Sequence, residues 1–199
     1  MLNLRRVFQL LTMTAALTVL AACSEQKGFI GSDITDGGIG AGWSLTDHNG
    51  TIRTAESFPG KATVVFFGFT QCPDICPASL AEVATAMKIL GDQAKDVQVV
   101  MISVDPERDT PEIMREYLGA FDAELPTRFL GLSGSPEDVR KAASAFRAFY
   151  AKSPTPGGGY TMDHSTSFYL IDPKGSTRVL LSNRAGPEAM AHDIRALLN

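Results

Sequence analysis

The chain lacks the features that mark several common protein classes. Its longest apolar run, Val7 to Ala22, holds about 16 residues, short of the ~20 that a membrane-spanning helix needs. It has no basic patch and no interleaving of basic with aromatic residues. With a net charge of −4, nothing in it suits nucleic acid. It also has no internal repeat, which points to one domain rather than an array. Cysteine and histidine are scarce, and any metal or redox chemistry must be built from very few side chains.

What is present begins at the N-terminus. Met1 to Arg6 carries Arg5 and Arg6, the apolar run follows, and Leu20-Ala21-Ala22 places small residues before Cys23. That pattern predicts a lipoprotein-type signal peptide over residues 1–22, with Cys23 as the lipidated residue. Residues 23–41 are rich in Gly, Ser and Asp without hydrophobic period, and are expected to form a lipidated flexible tether. Residues 42–199 are then the folded domain, large enough for a sizeable core. The protein is expected to be exported and membrane-anchored, with its domain in the bacterial periplasm.

With Cys23 assigned to lipid, one pair remains, Cys72 and Cys76, in the stretch FFGFTQCPDICP. A disulfide between them would close a loop of a few residues. Crosslink stabilisation grows with loop length, so chemistry explains the pair better than stapling does. Thr63–Thr70, Val97–Val104 and Ser167–Ile171 are apolar on both faces and read as central strands. Residues 43–47 and 51–53 flank His48-Asn49-Gly50, an N-terminal hairpin signal, and Asp172 to Gly175 is a second turn. Helices are expected over Pro77–Leu90, Thr110–Phe121 (Thr110 as cap, Pro111 in its first turn), Val139–Tyr150 after Ser135-Pro136, and Pro187–Leu198. The alternation implies an α/β domain with a central mixed sheet.

The cysteines fall where a buried strand ends and a helix begins. Cys76 precedes Pro77, which places it near the N-cap, with the free amides of Ala78 and Ser79 close to its sulfur. Such amides and the helix dipole favour a thiolate, so Cys76 is expected to titrate below a free cysteine. If the segment is helical, the two Cα atoms lie roughly 6 Å apart, near the upper end of disulfide reach. A metal between two sulfurs, with bonds of ~2.3 Å, is more forgiving. Two sulfurs suit Cu(I), and an added imidazole extends the site to Cu(II). His48 lies in a hairpin turn and His192 on the last helix beside Asp193, both expected at the surface. His164 follows the loop 154–159 and precedes the strand starting at Ser165. It alone has a route to the strand ends, although spacing does not decide whether it reaches the cysteines.

Three separated motifs carry a resemblance. GFTQCPDICPASL (Gly68–Leu80), SVDPERDTPEIMREYL (Ser103–Leu118) and Asp163-His164-Ser165 followed by FYLIDPKG (Phe168–Gly175) resemble the Sco/SenC family of copper-binding proteins that assist cytochrome c oxidase assembly. The resemblance implies a thioredoxin-like fold and a copper metallochaperone, with Cu(I)/Cu(II) held by Cys72, Cys76 and His164. The cargo would pass to the dinuclear copper site of the oxidase's copper-containing subunit. Asp74 and Asp163 match acidic positions and would orient the ligands or act on the cationic site. Asp105 to Thr110 also matches, and is expected to cap the next helix. The competing reading is a thiol–disulfide oxidoreductase, with Cys72–Cys76 as a redox-active disulfide that keeps the oxidase subunit's copper-ligand cysteines reduced. Other periplasmic copper chaperones and thioredoxin-like reductases are the further partners implied. A peroxidase reading is disfavoured by the i,i+4 cysteine pair.

Overall fold

The computed structural model describes residues 28–199. The expected signal peptide, Cys23 and tether residues 24–27 lie outside it. In chain order the strands are β1 Ser32–Asp33, β2 Leu45–Asp47, β3 Ile52–Arg53, β4 Ala62–Gly68, β5 Val97–Ser103, β6 Leu130–Ser133, β7 Tyr150–Pro154, β8 Tyr160–His164, β9 Phe168–Ile171 and β10 Thr177–Leu181. The helices are α1 Ile75–Leu90, α2 Pro111–Asp122, α3 Pro136–Ala145 and α4 Pro187–Leu198.

Every residue of β4 and β5 is buried, which is why both read as continuous rather than alternating apolar runs. The two pair in parallel from Ala62↔Val97 to Gly68↔Ser103. The main sheet runs β1-β10-β9-β4-β5-β6-β2-β3, parallel through β4-β5-β6 and antiparallel elsewhere. The period of two along each strand sorts side chains between two cores. Val64, Phe66, Val99 and Met101 meet Leu80, Val83 and Met87 of α1, Met114 of α2 and Met190 of α4. Val65, Phe67, Val100 and Ile102 meet Val139 and Ala142 of α3, Trp43 and Tyr169. Each such side chain contributes about 1.5–3 kcal/mol by leaving water. The helices therefore cover both faces, as expected, and β2–β3 is the N-terminal hairpin.

Two helices start where their caps predict. The Thr110 hydroxyl accepts from the Ile113 amide at 3.3 Å, and the Ser135 hydroxyl accepts from the Asp138 amide at 3.2 Å. The helix expected to run to Tyr150 instead stops at Ala145. Phe146 turns into the core, 4.9 Å from the Tyr169 ring, and Arg147 takes a left-handed φ of 53°. Tyr150 then begins β7, which pairs with β8 as a separate two-stranded hairpin. The expected loop 154–159 is the tip of that hairpin.

The tether expectation needs correction over residues 30–41, which are bound to the domain. The Ile30 and Gly31 amides both donate to the buried Asp193 carboxylate at 2.8 Å, and β1 pairs with β10. Gly40 donates its amide to the Ala145 carbonyl at 2.8 Å. A Cβ there would lie 2.7 Å from Phe146 Cε1, at a backbone φ of +81°. Glycine in this stretch thus marks close packing as well as freedom. No helix among the described residues is long and apolar enough to cross a membrane.

Candidate metal centre

β4 delivers the chain to the sheet's carboxyl end, where α/β folds gather their sites. The loop after it is pinned at once: the buried Asp109 accepts from the Thr70 amide at 3.1 Å, the Thr70 hydroxyl at 2.6 Å and the Ser103 hydroxyl at 2.5 Å. Cys72 follows, half-buried, and its amide donates to the Phe69 carbonyl at 3.3 Å. The helix begins two residues earlier than expected. Ile75 and Cys76 occupy its first turn, and Pro77 is third, a position whose missing N–H has no helical partner to lose.

This shift moves the helix-terminus effect from one sulfur to the other. The Cys76 amide donates to Cys72 Sγ at 3.4 Å, so the free N–H end of α1 is directed at Cys72. Cys76 points the other way, into the core among Phe67 and Phe69, and is 1% exposed. Burial pushes its thiol pKa well up, a hydrogen bond from the Phe69 backbone opposes this, and the neighbouring Cys72 adds to the rise. The expected low pKa at Cys76 is therefore overturned by desolvation. Both thiols are free. Gly68 makes room for the buried one, since a Cβ there would stand 3.0 Å from Cys76 Sγ.

His164 comes to the cysteines from the end of β8. Its Nδ1 lies 2.8 Å from the Ser165 carbonyl, an acceptor only, so Nδ1 carries the proton. Nε2 is left with its lone pair and sits 3.5 Å from Cys76 Sγ. The Phe69 ring meets the imidazole edge-on at 5.8 Å. The sulfurs of Cys72 and Cys76 and a ring nitrogen of His164 all lie within 4.8 Å of one another. Two thiol sulfurs and one imidazole, its other nitrogen held by a carbonyl, form a donor set suited to a soft or borderline ion. Cys72 and His164 line a cleft of ≈ 320 Å³ whose walls also include Asp74, Ile75 and Met162, with Cys76 buried behind them.

Of the remaining expected residues, Asp74 and Asp163 line the cleft and the two other histidines lie outside it. Asp74 is exposed on the cleft rim at the helix N-cap and makes no side-chain capping bond. Asp163 is exposed, and its carboxylate pairs with the Ser153 hydroxyl across the hairpin. Asp163 lines the same cleft as Cys72 and His164, while the imidazole Nδ1 is held by the Ser165 carbonyl rather than by this carboxylate. His48 is not a surface residue. It is 7% exposed, with Nδ1 accepting from the Gly131 amide at 3.2 Å and its carbonyl accepting from Arg115. Burial, then the Arg115 charge, lowers its pKa. His192 is half-exposed beside Asp193, 2.9 Å away, close to expectation.

Sequence reasoning left the Asp105–Thr110 loop with only a capping role. It does more, because it touches both halves of the site. Arg108 pairs with the buried Asp105 and donates from Nη1 to Gln71 Oε1 at 3.1 Å and to the Tyr160 carbonyl at 3.0 Å. The Tyr160 hydroxyl donates to Asp105 at 2.9 Å. An arginine flanked by two acids after a buried strand was the available signal.

A family model described as SCO1/SenC matches residues 32–199. An SCO2-like protein of Rickettsia prowazekii is 38% identical over 139 residues, covering 69% of this chain and 66% of that protein. Protein SCO1 homolog 1, mitochondrial, of Arabidopsis thaliana is 42% identical over 137 residues, covering 68% of this chain and 40% of that protein. The chain thus spans less than two thirds of either relative. The structure of Bradyrhizobium japonicum ScoI with copper bound is 42% identical, with a TM-score of 0.71, covering 80% of this chain and 99% of that one. The fold is accordingly thioredoxin-like. With the family model spanning the whole described domain from β1 onward, the chain belongs to the SCO1/SenC family.

Proposed function

We propose that this protein is a copper metallochaperone, binding Cu(I) and Cu(II) through Cys72, Cys76 and His164. The observation that carries the reading is the convergence of two sulfurs and an imidazole within 4.8 Å, at the mouth of an open cleft. Two thiolates satisfy Cu(I), and the Nε2 lone pair supplies the third donor that Cu(II) favours. Binding copper is also what the name of the Bradyrhizobium structure records for that relative. The recipient we assign is the copper-containing subunit of cytochrome c oxidase, at its dinuclear copper site. Cys23 would carry the lipid that holds the domain at the periplasmic face of a membrane. Titration of Cu(I) and Cu(II) into the reduced protein and its His164→Ala variant tests the site. Unchanged Cu(II) affinity and absorption in the variant would refute the three-donor assignment.

A second reading, thiol–disulfide exchange, is favoured by one feature. Cys72 is the accessible sulfur and receives the helix amide, while Cys76 is buried. Cys72 would attack a partner's disulfide, and Cys76 would then resolve the mixed disulfide. A Cys76→Ser variant should accumulate the mixed disulfide with a model disulfide substrate; its failure to do so counts against exchange.

A further inference from the structure

The hairpin β7–β8 that carries His164 is not part of the main sheet. Its two ends are held by different means. Near His164, the Ser165 amide donates to the Phe149 carbonyl at 2.9 Å, the Phe149 amide donates to the Ser165 hydroxyl at 2.9 Å, and Met162 is buried in the second core. Towards its tip, at Tyr160, the hairpin is held by the Asp105–Asp109 loop, and Arg108 makes the central contact.

Arg108 joins its own loop to two segments that are distant in sequence. Its Nε pairs with Asp105, whose carboxylate is fully buried and also accepts the Tyr160 hydroxyl. One nitrogen, Nη1, donates at once to Gln71, the residue before Cys72, and to the Tyr160 carbonyl on the His164 strand. The guanidinium plane stacks on the Tyr160 ring at 3.9 Å and lies 5.8 Å from the centre of Phe69, whose ring also meets His164. The planar fork can make these contacts simultaneously, and a lysine ammonium cannot. The nearby Lys152–Glu107 pair, at 2.7 Å, spans the same gap but is exposed on both sides and adds little.

We propose that Arg108 is the positioning residue that sets the distance between the cysteine loop and the His164 strand, and so decides whether the site is complete for Cu(II). The inference rests on the copper reading above. Cu(I) needs only the two sulfurs, both on the loop and α1 side, so it should tolerate a displaced hairpin. Cu(II) needs the imidazole, four residues along β8 from the strand end that Arg108 grips. The expected signature is a selective loss rather than a general one.

The experiment measures Cu(I) and Cu(II) affinities by chelator competition, with the sulfur-to-Cu(II) absorption band and the melting temperature, for wild type, Arg108→Ala, Arg108→Lys, Tyr160→Phe and His164→Ala. Loss of a group that orients ligands costs about 10–100-fold in metal affinity. Arg108→Ala should fall in that range for Cu(II) and stay within about threefold for Cu(I), with a shifted absorption band. Arg108→Lys should recover part of the loss. Tyr160→Phe, which keeps the ring and removes only the hydroxyl's bonds to Asp105 and the exposed Glu107, should show the same selectivity at smaller size and serves where Arg108→Ala does not fold. Cu(II) affinity within about twofold of wild type in Arg108→Ala overturns the inference. Parallel loss of both affinities together with melting temperature also overturns it, because it assigns Arg108 to general stability. No Cu(II) binding by wild type, or none lost in His164→Ala, refutes the copper site itself and the inference with it.

Discussion

Adding one methyl group at Gly68 tests how tightly the fold places the buried sulfur. The Cβ of Gly68→Ala would lie 3.0 Å from Cys76 Sγ, 3.3 Å from Phe66 Cε2 and 3.6 Å from Met101 Sδ. Nonbonded heavy atoms prefer ~3.5–4.0 Å, so the sulfur must give way by a few tenths of an ångström. It has little room, since Cys76 is 1% exposed and Phe66 and Met101 are buried. Overpacking of this kind costs about 1–3 kcal/mol, or roughly 2–12 °C in melting temperature for a chain of this size. The same displacement moves one of the proposed sulfur donors, so copper binding should weaken along with stability. Thermal melts of wild type, Gly68→Ala, Cys76→Ala and the double variant form a cycle. Most of the Gly68→Ala cost should vanish once the sulfur is gone. Gly68→Ala melting with wild type, or an equal cost with and without the Cys76 sulfur, would refute the argument.

Three more outcomes follow from the site and its supports. Copper affinity should drop as pH falls from 8 to 6, by about tenfold per unit for each proton released, because burial keeps the Cys76 thiol protonated until metal displaces the proton; competition titrations at several pH values check it. His48 has a folded pKa below its ordinary 6.5, so the unfolded chain takes up a proton that the native chain refuses. Stability is then fully present above pH 6.5 and is lost as pH falls toward the folded pKa, and His48→Gln should flatten urea midpoints between about pH 7 and 5. Asp193→Ala removes the acceptor of the Ile30 and Gly31 amides and should cost about 1–2 kcal/mol, with faster proteolysis near residue 30 and unchanged copper binding.

Much of the frame was legible in the sequence because its signals are local. The buried runs of β4, β5 and β9 and the Thr110 and Ser135 caps announce themselves within a few residues. The donor set was named because Cys72 and Cys76 are close in sequence and His164 was brought in by motif resemblance. What sequence could not supply was decided by burial and by long-range contacts. Cys76 sits beside a helix start, but the core on its other side outweighs the helix dipole. His48 lies in an Asn-Gly hairpin, which suggests water, yet the Gly131 amide and Arg115 enclose it. Asp163 adjoins His164 in sequence, yet its carboxylate bonds Ser153 across the hairpin and the Ser165 carbonyl holds the imidazole. Arg108 reads as a loop residue because its partners, Gln71 and Tyr160, stand 37 and 52 positions away.

The main sheet ends on either side in a strand of only two residues, β1 and β3. Each offers too short a row of unpaired amides and carbonyls to template another chain. β1 brings Asp33 to its edge and β3 brings Arg53, so these termini carry charge as well as brevity. A protein crowded on a two-dimensional surface, as a lipid-anchored one would be, meets its own copies at high local concentration. These blunted margins would keep such encounters from extending the main sheet of one molecule into the next.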